Sequence, residues 1–205
     1  MKKYLLIIAA LALFTPNVKA QDWLESLKGA ASTVADKLTG GKVTEYGMVG
    51  SWSYDRPAVK LESENTLTEV AASAATEKLQ SALETGYSLV GFKPGSCDCT
   101  FTKEGKFTMT AGSHTLEGDY TFENETHALT MTFSSKLLSK LGKIEGVAYL
   151  DGTDLQILFP ADKILAILQE LGSKTASFSK SIASITTLLN AFDGLNLGFE
   201  FTRIK

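Results

Sequence analysis

Residues that commonly carry out catalysis or bind metals are scarce in this sequence. Its 205 residues include two histidines, His114 and His127, and two cysteines, Cys97 and Cys99. No Gly-x-Ser-x-Gly elbow, His-Glu-x-x-His motif or phosphate-binding glycine loop occurs. The spacing of the cysteines and histidines does not favour a thiol–imidazole pair. We therefore expect a protein that is not an enzyme and that has neither a bound metal nor a cofactor.

Clusters of basic residues are also missing. The chain has 20 basic and 23 acidic side chains and a formal net charge of −3. Three of the basic residues, Lys2, Lys3 and Lys19, lie in the first twenty positions, so the remainder is more acidic still. Nucleic-acid binding needs clustered lysine and arginine, and here they are dispersed. The composition disfavours a nucleic-acid partner, and we expect none.

After residue 20, no apolar run is long enough to span a bilayer. The run over Leu5–Phe14 is shorter than the roughly 20 residues that a membrane span requires. It follows a basic start and precedes Val18-x-Ala20, the order typical of a signal peptide over 1–20 with cleavage after Ala20. No cysteine precedes Cys97, so we do not expect a lipoprotein. We expect an exported, soluble protein of the periplasm or the extracellular space.

Cys97 and Cys99 are separated by one residue, and the pattern places them in a strand. Residues i and i+2 of a strand face the same side, with Cα atoms at or beyond the usual disulfide range. We therefore expect two ordinary thiols that are not essential for function. A strained disulfide, a redox role and metal binding remain open alternatives.

Three regions have helical periodicity. The first, over 21–41, contains Asp22–Leu38, where Trp23 and Leu27 open an apolar stripe and Gly40-Gly41 marks the stop. A second helix over 66–85 begins at a capping box, Thr66-x-x-Glu69, is rich in alanine and has Gly86 as its stop. Two helical stretches fill 161–190. The first helix is a candidate docking face for a protein partner.

Between these helices the apolar residues alternate with polar ones. A strand is predicted from Met48 to Tyr54, six strands joined by tight turns from Cys97 to Phe159, and a last strand from Leu197 to Arg203. Eight strands that avoid exposed edges form a barrel. We predict one α+β domain over 21–205, with an antiparallel eight-stranded barrel or a strongly curved meander sheet covered by amphipathic helices. An open antiparallel sheet packed on helices is the alternative.

Local motifs in the strands resemble those of lipocalins. Gly50-x-Trp52 is similar to the Gly-x-Trp signature, and Phe101-x-x-x-Gly105-x-Phe107 and Gly118-Asp119-Tyr120 look like the strand–turn–strand pattern of calycin domains. The resemblance implies that Arg203, near the end of the last strand, stacks over Trp52. The whole chain after residue 20 also resembles a family of secreted bacterial proteins of unknown function with this layout. The helix over 66–85, in place of a loop, and the two helical stretches before the last strand are departures from lipocalins.

A barrel of this kind suggests two functions. In the first, a small apolar ligand binds in the interior beneath the helix over 66–85, which would act as a lid. The second is an envelope-associated or secreted interaction protein whose large side chains fill the barrel. The predicted lining residues are Trp52, Phe107, Met109, Tyr120, Met131 and Phe199.

Overall fold

The computed structural model describes residues 39–61, 69–136, 138–172, 175–190 and 194–204, and at 61 and 69–75 it describes the backbone alone. The predicted signal peptide over 1–20, the predicted helix over Asp22–Leu38 and the capping residue Thr66 lie outside the described residues. No helix within these ranges is both long enough and apolar enough to cross a membrane.

Eight antiparallel strands form a closed barrel in which every strand pairs with its neighbours in sequence and the last strand pairs with the first. The β1–β8 ladder runs from Trp52 opposite Arg203 to Leu61 opposite Leu195. This ladder confirms the predicted eight-stranded antiparallel barrel, and the open-sheet alternative is wrong. The strands are β1 (Gly50–Leu61), β2 (Asp98–Phe101), β3 (Lys106–Ala111), β4 (His114–Glu123), β5 (Ala128–Phe133), β6 (Lys143–Asp151), β7 (Asp154–Pro160) and β8 (Leu195–Arg203).

Strand alternation separates a buried interior from a polar outer face. In β3, the side chains alternate strictly between exposed and buried positions, with Phe107, Met109 and Ala111 buried. Because successive side chains of a strand point to opposite sides, the buried set of each strand faces the barrel axis. The interior is therefore lined by every second residue of the strands. In β1 the register shifts between Tyr54 and Arg56, so the inward-facing positions change from Trp52 and Tyr54 to Pro57 and Val59.

The described part of the chain has four α-helices: α1 (Lys42–Met48), α2 (Glu69–Leu89), α3 (Ala161–Leu171) and α4 (Ala176–Leu189). Helix α1 was not predicted, and Met48, expected at the start of the first strand, is its last residue. Gly41 has a left-handed backbone (φ 82°) that turns the chain into this helix, with Val43 and Met48 buried. The strand-like alternation of residues continues backwards from Gly50 to Met48, so the sequence pattern predicted a strand there and not this short helix.

Helix α2 extends beyond the predicted stop at Gly86. A Cβ atom at Gly86 would lie 2.8 Å from Ile185 Cδ1, so this glycine allows α4 to pack closely on α2. The helix ends instead at Leu89, two residues before Gly91, whose φ is 100°. The Phe92 amide donates to the Tyr87 carbonyl (3.0 Å) and the Gly91 amide to that of Ser88 (3.4 Å). This is a Schellman motif, in which a left-handed glycine satisfies the last helical carbonyls.

Helices α1 and α2 lie at opposite ends of the barrel. At the α1 end, where β1 begins, Thr44 Oγ1 accepts a hydrogen bond from the Leu150 amide (3.2 Å). At the α2 end, where β1 finishes, Gly91 packs against Ala111 in the turn between β3 and β4. The barrel is therefore covered by helices at both ends.

Candidate functional site

The α1 end is closed around the Gly50–Trp52–Arg203 group. The Arg203 guanidinium carbon lies 4.2 Å from the centre of the Trp52 ring. Its Nη2 donates to the Gly47 carbonyl and its Nη1 to that of Val49 (3.4 Å). The Trp52 indole donates to the Met48 carbonyl (2.7 Å). A cation over an indole face is attracted by the ring quadrupole, so this group attaches the end of α1 to the barrel.

Gly50 makes this arrangement possible. Its φ of 136° is a conformation that residues with a side chain rarely adopt. A Cβ atom at this position would lie 2.6 Å from Arg203 Nη1. The Gly-x-Trp pattern thus leaves the space that the guanidinium occupies.

At the α2 end, five aromatic rings form the first aromatic cluster. Ring centres are 4.9 Å apart for Phe92 and Phe199, 5.2 Å for Tyr87 and Phe199, and 6.1 Å for Tyr54 and Phe201. The Tyr87 hydroxyl also donates to the Gly198 carbonyl (3.1 Å). This cluster attaches the C-terminal half of α2 to strands β1 and β8.

The opposite wall of the barrel has a second aromatic cluster, formed by Phe101, Phe107, Tyr120 and Phe133. Ring centres are 5.3 Å apart for Phe107 and Phe133, and 5.0 Å for Phe101 and Tyr120. Among the described residues, no ring pair connects this cluster to the first one. Met109 lies opposite Cys99 and Leu116, and Met131 opposite Tyr120 and Ile144. Two methionines, the most deformable apolar side chains, therefore line the same wall as the second cluster.

Five of the predicted lining residues are buried and face the interior: Trp52, Phe107, Met109, Met131 and Phe199. Tyr120 is half-buried, and its hydroxyl donates to the Thr102 carbonyl near the α1 end (2.7 Å). The six residues are thus spread along the barrel axis, with Trp52 and Tyr120 towards the α1 end. Sequence reasoning missed Tyr54, Tyr87 and Phe92. The spacing of Tyr87, Gly91 and Phe92, which matches a helix C-cap with its apolar contact, could have revealed the last two.

Tyr54 supplies a polar group within the first aromatic cluster. It is 3% exposed, and within the described residues no partner for its hydroxyl is found. Burial raises the pKa of Tyr54 far above its ordinary value, so the hydroxyl keeps its proton at physiological pH. A hydroxyl that lies among aromatic rings and makes no hydrogen bond within the described residues can bond to a ligand or a water molecule.

The two cysteines are free and buried, with Cys99 completely so. Burial, with a smaller effect of Asp98, raises the pKa of the Cys97 thiol to about 12. Burial also raises the pKa of Cys99 well above its ordinary value. Nucleophilic and metal-binding cysteines react as thiolates, which these surroundings disfavour. In the described ranges, no group of three or more His, Cys, Asp and Glu side chains is arranged to hold a metal ion.

Comparison with known proteins gives a family but no activity. A crystal structure of a DUF4847 family protein from Bacteroides vulgatus is similar at 15% sequence identity, with a TM-score of 0.38, over 80% of this chain and 98% of that one. No curated protein matches the sequence. The model of the lipocalin-like domain family DUF4923 matches residues 24–203, almost the whole chain. The chain therefore belongs to this lipocalin-like domain family.

Proposed function

We propose that this protein is an exported, non-enzymatic carrier that binds a small apolar ligand between the barrel interior and α2. The observation that carries the proposal is the separation of the two aromatic clusters on opposite walls of the barrel, with Met109 and Met131 on the wall of the second cluster. Aromatic and thioether groups offer dispersion contacts to a lipid-like chain and little fixed polarity.

The Tyr54 hydroxyl gives this site a polar group that can contact a ligand. It lies among the rings of Tyr87, Phe92, Phe199 and Phe201, at centre distances of 6.4, 6.3, 6.2 and 6.1 Å. A neutral hydroxyl can donate a hydrogen bond to a carboxylate or carbonyl oxygen. We therefore expect a ligand with an apolar chain and one oxygen-bearing head, such as a fatty acid.

A second function is favoured by the packing of α2. Leu79, Leu83 and Tyr87 have no exposed surface, so the C-terminal half of this helix fills the α2 end of the barrel. If these side chains do not move, the barrel is a filled core and the protein acts through its outer surface as an envelope-associated or secreted interaction protein.

Displacement of a fluorescent fatty acid separates the two functions. Met131→Trp overfills the proposed site, whereas Thr130→Trp adds the same ring one residue away, on the outer face of β5. We expect the chain lacking residues 1–20, after delipidation, to bind the probe saturably, Thr130→Trp to retain binding and Met131→Trp to lose it. Absence of saturable binding in the unmodified chain, or equal loss in both variants, would favour the interaction protein.

The ligand itself can be identified from protein purified from its own host. Native mass spectrometry with lipid extraction should show an added mass that is released as an apolar molecule. The same spectrum tests export, because the secreted form should begin at Gln21. A retained Leu5–Phe14 run or an added acyl mass would contradict export as a soluble, unlipidated protein.

A further inference from the structure

The outer face of the barrel has an apolar strip that crosses four strands. Ala58 of β1 pairs with Gly198 of β8, Gly198 with Leu158 of β7, and Leu158 with Val147 of β6. These four residues alternate with the inward-facing residues of their strands, such as Phe199 opposite Ile157. They therefore point away from the barrel axis, and we call them the outer strip.

Three residues of the outer strip are buried although they face outwards, and Val147 is half-buried. Ala58 is 1% exposed and Leu158 is 0% exposed. Among the buried apolar residues that the structure describes, these two alone lie outside the continuous interior core. A leucine on the outside of a barrel loses its whole accessible surface only if another element covers it.

Helix α3, which follows β7 directly, is not that element. Its buried residues Ile164, Ile167, Leu168 and Leu171 all belong to the interior core, which excludes Leu158. If the apolar face of α3 covered Leu158, Leu158 would contact these four residues and would belong to the same core. The buried apolar residues of the other described helices also belong to the interior core: Val43 and Met48 of α1, Leu79, Leu83 and Tyr87 of α2, and Phe178 and Ile185 of α4. None of the four described helices therefore covers Leu158 with its buried apolar face.

We propose that the outer strip is the docking site of the chain's own N-terminal segment, Asp22–Leu38, bound as an amphipathic helix. The described chain begins at Thr39, two residues before Gly41, where an added Cβ would meet the Asn124 carbonyl in the turn before β5. Val147, at one end of the strip, pairs with Ala128, the first residue of β5. The segment therefore leaves the described structure close to that end of the strip.

The dimensions and the polarity of the strip fit this occupant. A helix over Asp22–Leu38 is about 25 Å long at 1.5 Å per residue, and the first and fourth of four neighbouring strands lie about 14 Å apart. Polar contacts border the strip on one side, where Arg56 Nε lies 2.5 Å from Glu200 Oε2 and Gln156 Nε2 lies 3.1 Å from Glu200 Oε1. On the same outer face, the Lys60 ammonium lies 4.7 Å from the Tyr149 ring centre. An apolar centre with a polar rim is typical of a protein–protein contact surface.

This docking has a consequence for the second function above. The apolar stripe that begins with Trp23 and Leu27 would be used by the chain's own barrel. It would not be available to a partner protein, so any partner would have to bind elsewhere or displace the segment.

Maleimide labelling of introduced cysteines tests the proposal in the chain lacking residues 1–20. Ala58→Cys places a thiol in the strip, and Thr108→Cys, exposed on the outer face of β3, is the reference. We expect Ala58→Cys to react at least ten times more slowly than Thr108→Cys. Each of two further substitutions is then combined with Ala58→Cys. Val34→Asp, on the predicted apolar stripe of the segment, should remove the protection of the Ala58→Cys thiol. Ser32→Asp, on the predicted polar face, should preserve it.

Three outcomes would overturn the proposal. Rapid labelling of Ala58→Cys in the otherwise unmodified chain means that the strip is open. Protection that persists with Val34→Asp means that another element covers it, and protection lost on dilution means that the cover is a second copy of the chain. Methyl NOEs in the unmodified chain check the result without substitutions: we expect a contact from Leu158 to Leu27 or Val34, and its absence from assigned spectra contradicts the docking.

Discussion

The two ends of the barrel are closed in different ways. At the α1 end, polar groups fix the helix: Arg203 donates to backbone carbonyls, Thr44 accepts from the Leu150 amide and Asn124 Nδ2 donates to Glu45 (2.9 Å). At the α2 end, one hydrogen bond from Tyr87 accompanies a cluster of rings. Hydrogen bonds fix distances and angles, whereas dispersion contacts tolerate rearrangement. We therefore expect the α1 end to be the more rigid one, and the α2 end to be the one that rearranges if the proposed ligand binds.

The largest expected effect is at the rigid end. Trp52→Ala should destabilise the protein by about 3–5 kcal/mol, because it removes a fully buried ring and leaves a cavity. A domain of this size has about 5–15 kcal/mol of total stability, so this loss removes from about a fifth of that stability to all of it. Urea denaturation followed by far-UV circular dichroism measures the loss. Trp52→Phe, which keeps a ring, is the control, and a Trp52→Ala variant of native stability would contradict a structural role.

The next effect is at the C-terminus of α2. Gly91→Ala should destabilise the protein by about 1–3 kcal/mol, because φ is 100° and the new Cβ would lie 2.4 Å from the Ala111 carbonyl carbon. Gly95→Ala is a matched control: Gly95 also has a positive φ (75°), but nothing lies within 4 Å of its Cβ position. Thermal denaturation of both variants separates the contact from the backbone conformation. Equal losses would mean that the packing of Gly91 on the β3–β4 turn contributes nothing.

Arg203 and Trp52 should be energetically coupled. Arg203→Ala removes the cation above the indole and two hydrogen bonds to carbonyls of α1 and Val49, and a stacked cation contributes about 0.5–2 kcal/mol. In a double-mutant cycle with Trp52→Phe, we expect a non-zero coupling energy in this range. Strictly additive losses would show that the stacking is geometrically present and energetically neutral.

The smallest effect concerns the thiols. Cys97 has its pKa raised from 9.0 to about 12 by burial, so its contribution to stability is complete below pH 9 and is lost as pH rises towards 12. The pKa of Cys99 is raised in the same direction. We expect the urea midpoint to decrease above pH 9, and to decrease less in the Cys97→Ala, Cys99→Ala double variant.

At pH 8, a thiol reagent should react with both cysteines only after unfolding. Fast reaction of the native protein, or a two-dalton mass deficit indicating a disulfide, would contradict this account.

The strands were predictable because their signal is local. Alternation within β3 and β4, and the short turns between strands, determine which residues pair with the adjacent hairpin neighbours. Closure of the barrel was inferred from the number of strands and the need to avoid edges, although the β1–β8 register depends on residues about 140 positions apart.

The wrong predictions concern residues whose sequence pattern fits two different local structures. Gly86 and Gly91 are both plausible helix stops, and only the contact with Ile185 shows that Gly86 serves helix packing. Met48 continues the strand alternation but ends α1, because the buried face of that helix includes it. The lining residues were chosen from one face of each strand, which does not give the position of a residue along the barrel axis. Trp52 and Tyr120, towards the α1 end, were therefore grouped with Phe199, which contacts the rings of the α2 end.

One measurement tests the central claim most directly. The chain lacking residues 1–20 has three methionines: Met48 at the α1 end, and Met109 and Met131 in the barrel wall. Each ε-methyl group gives one NMR signal when labelled with ¹³C. Titration with a long-chain fatty acid should shift the Met109 and Met131 signals saturably and leave Met48 unchanged. If no signal shifts, or if Met48 shifts as much as the other two, the barrel does not bind such a ligand at the α2 end.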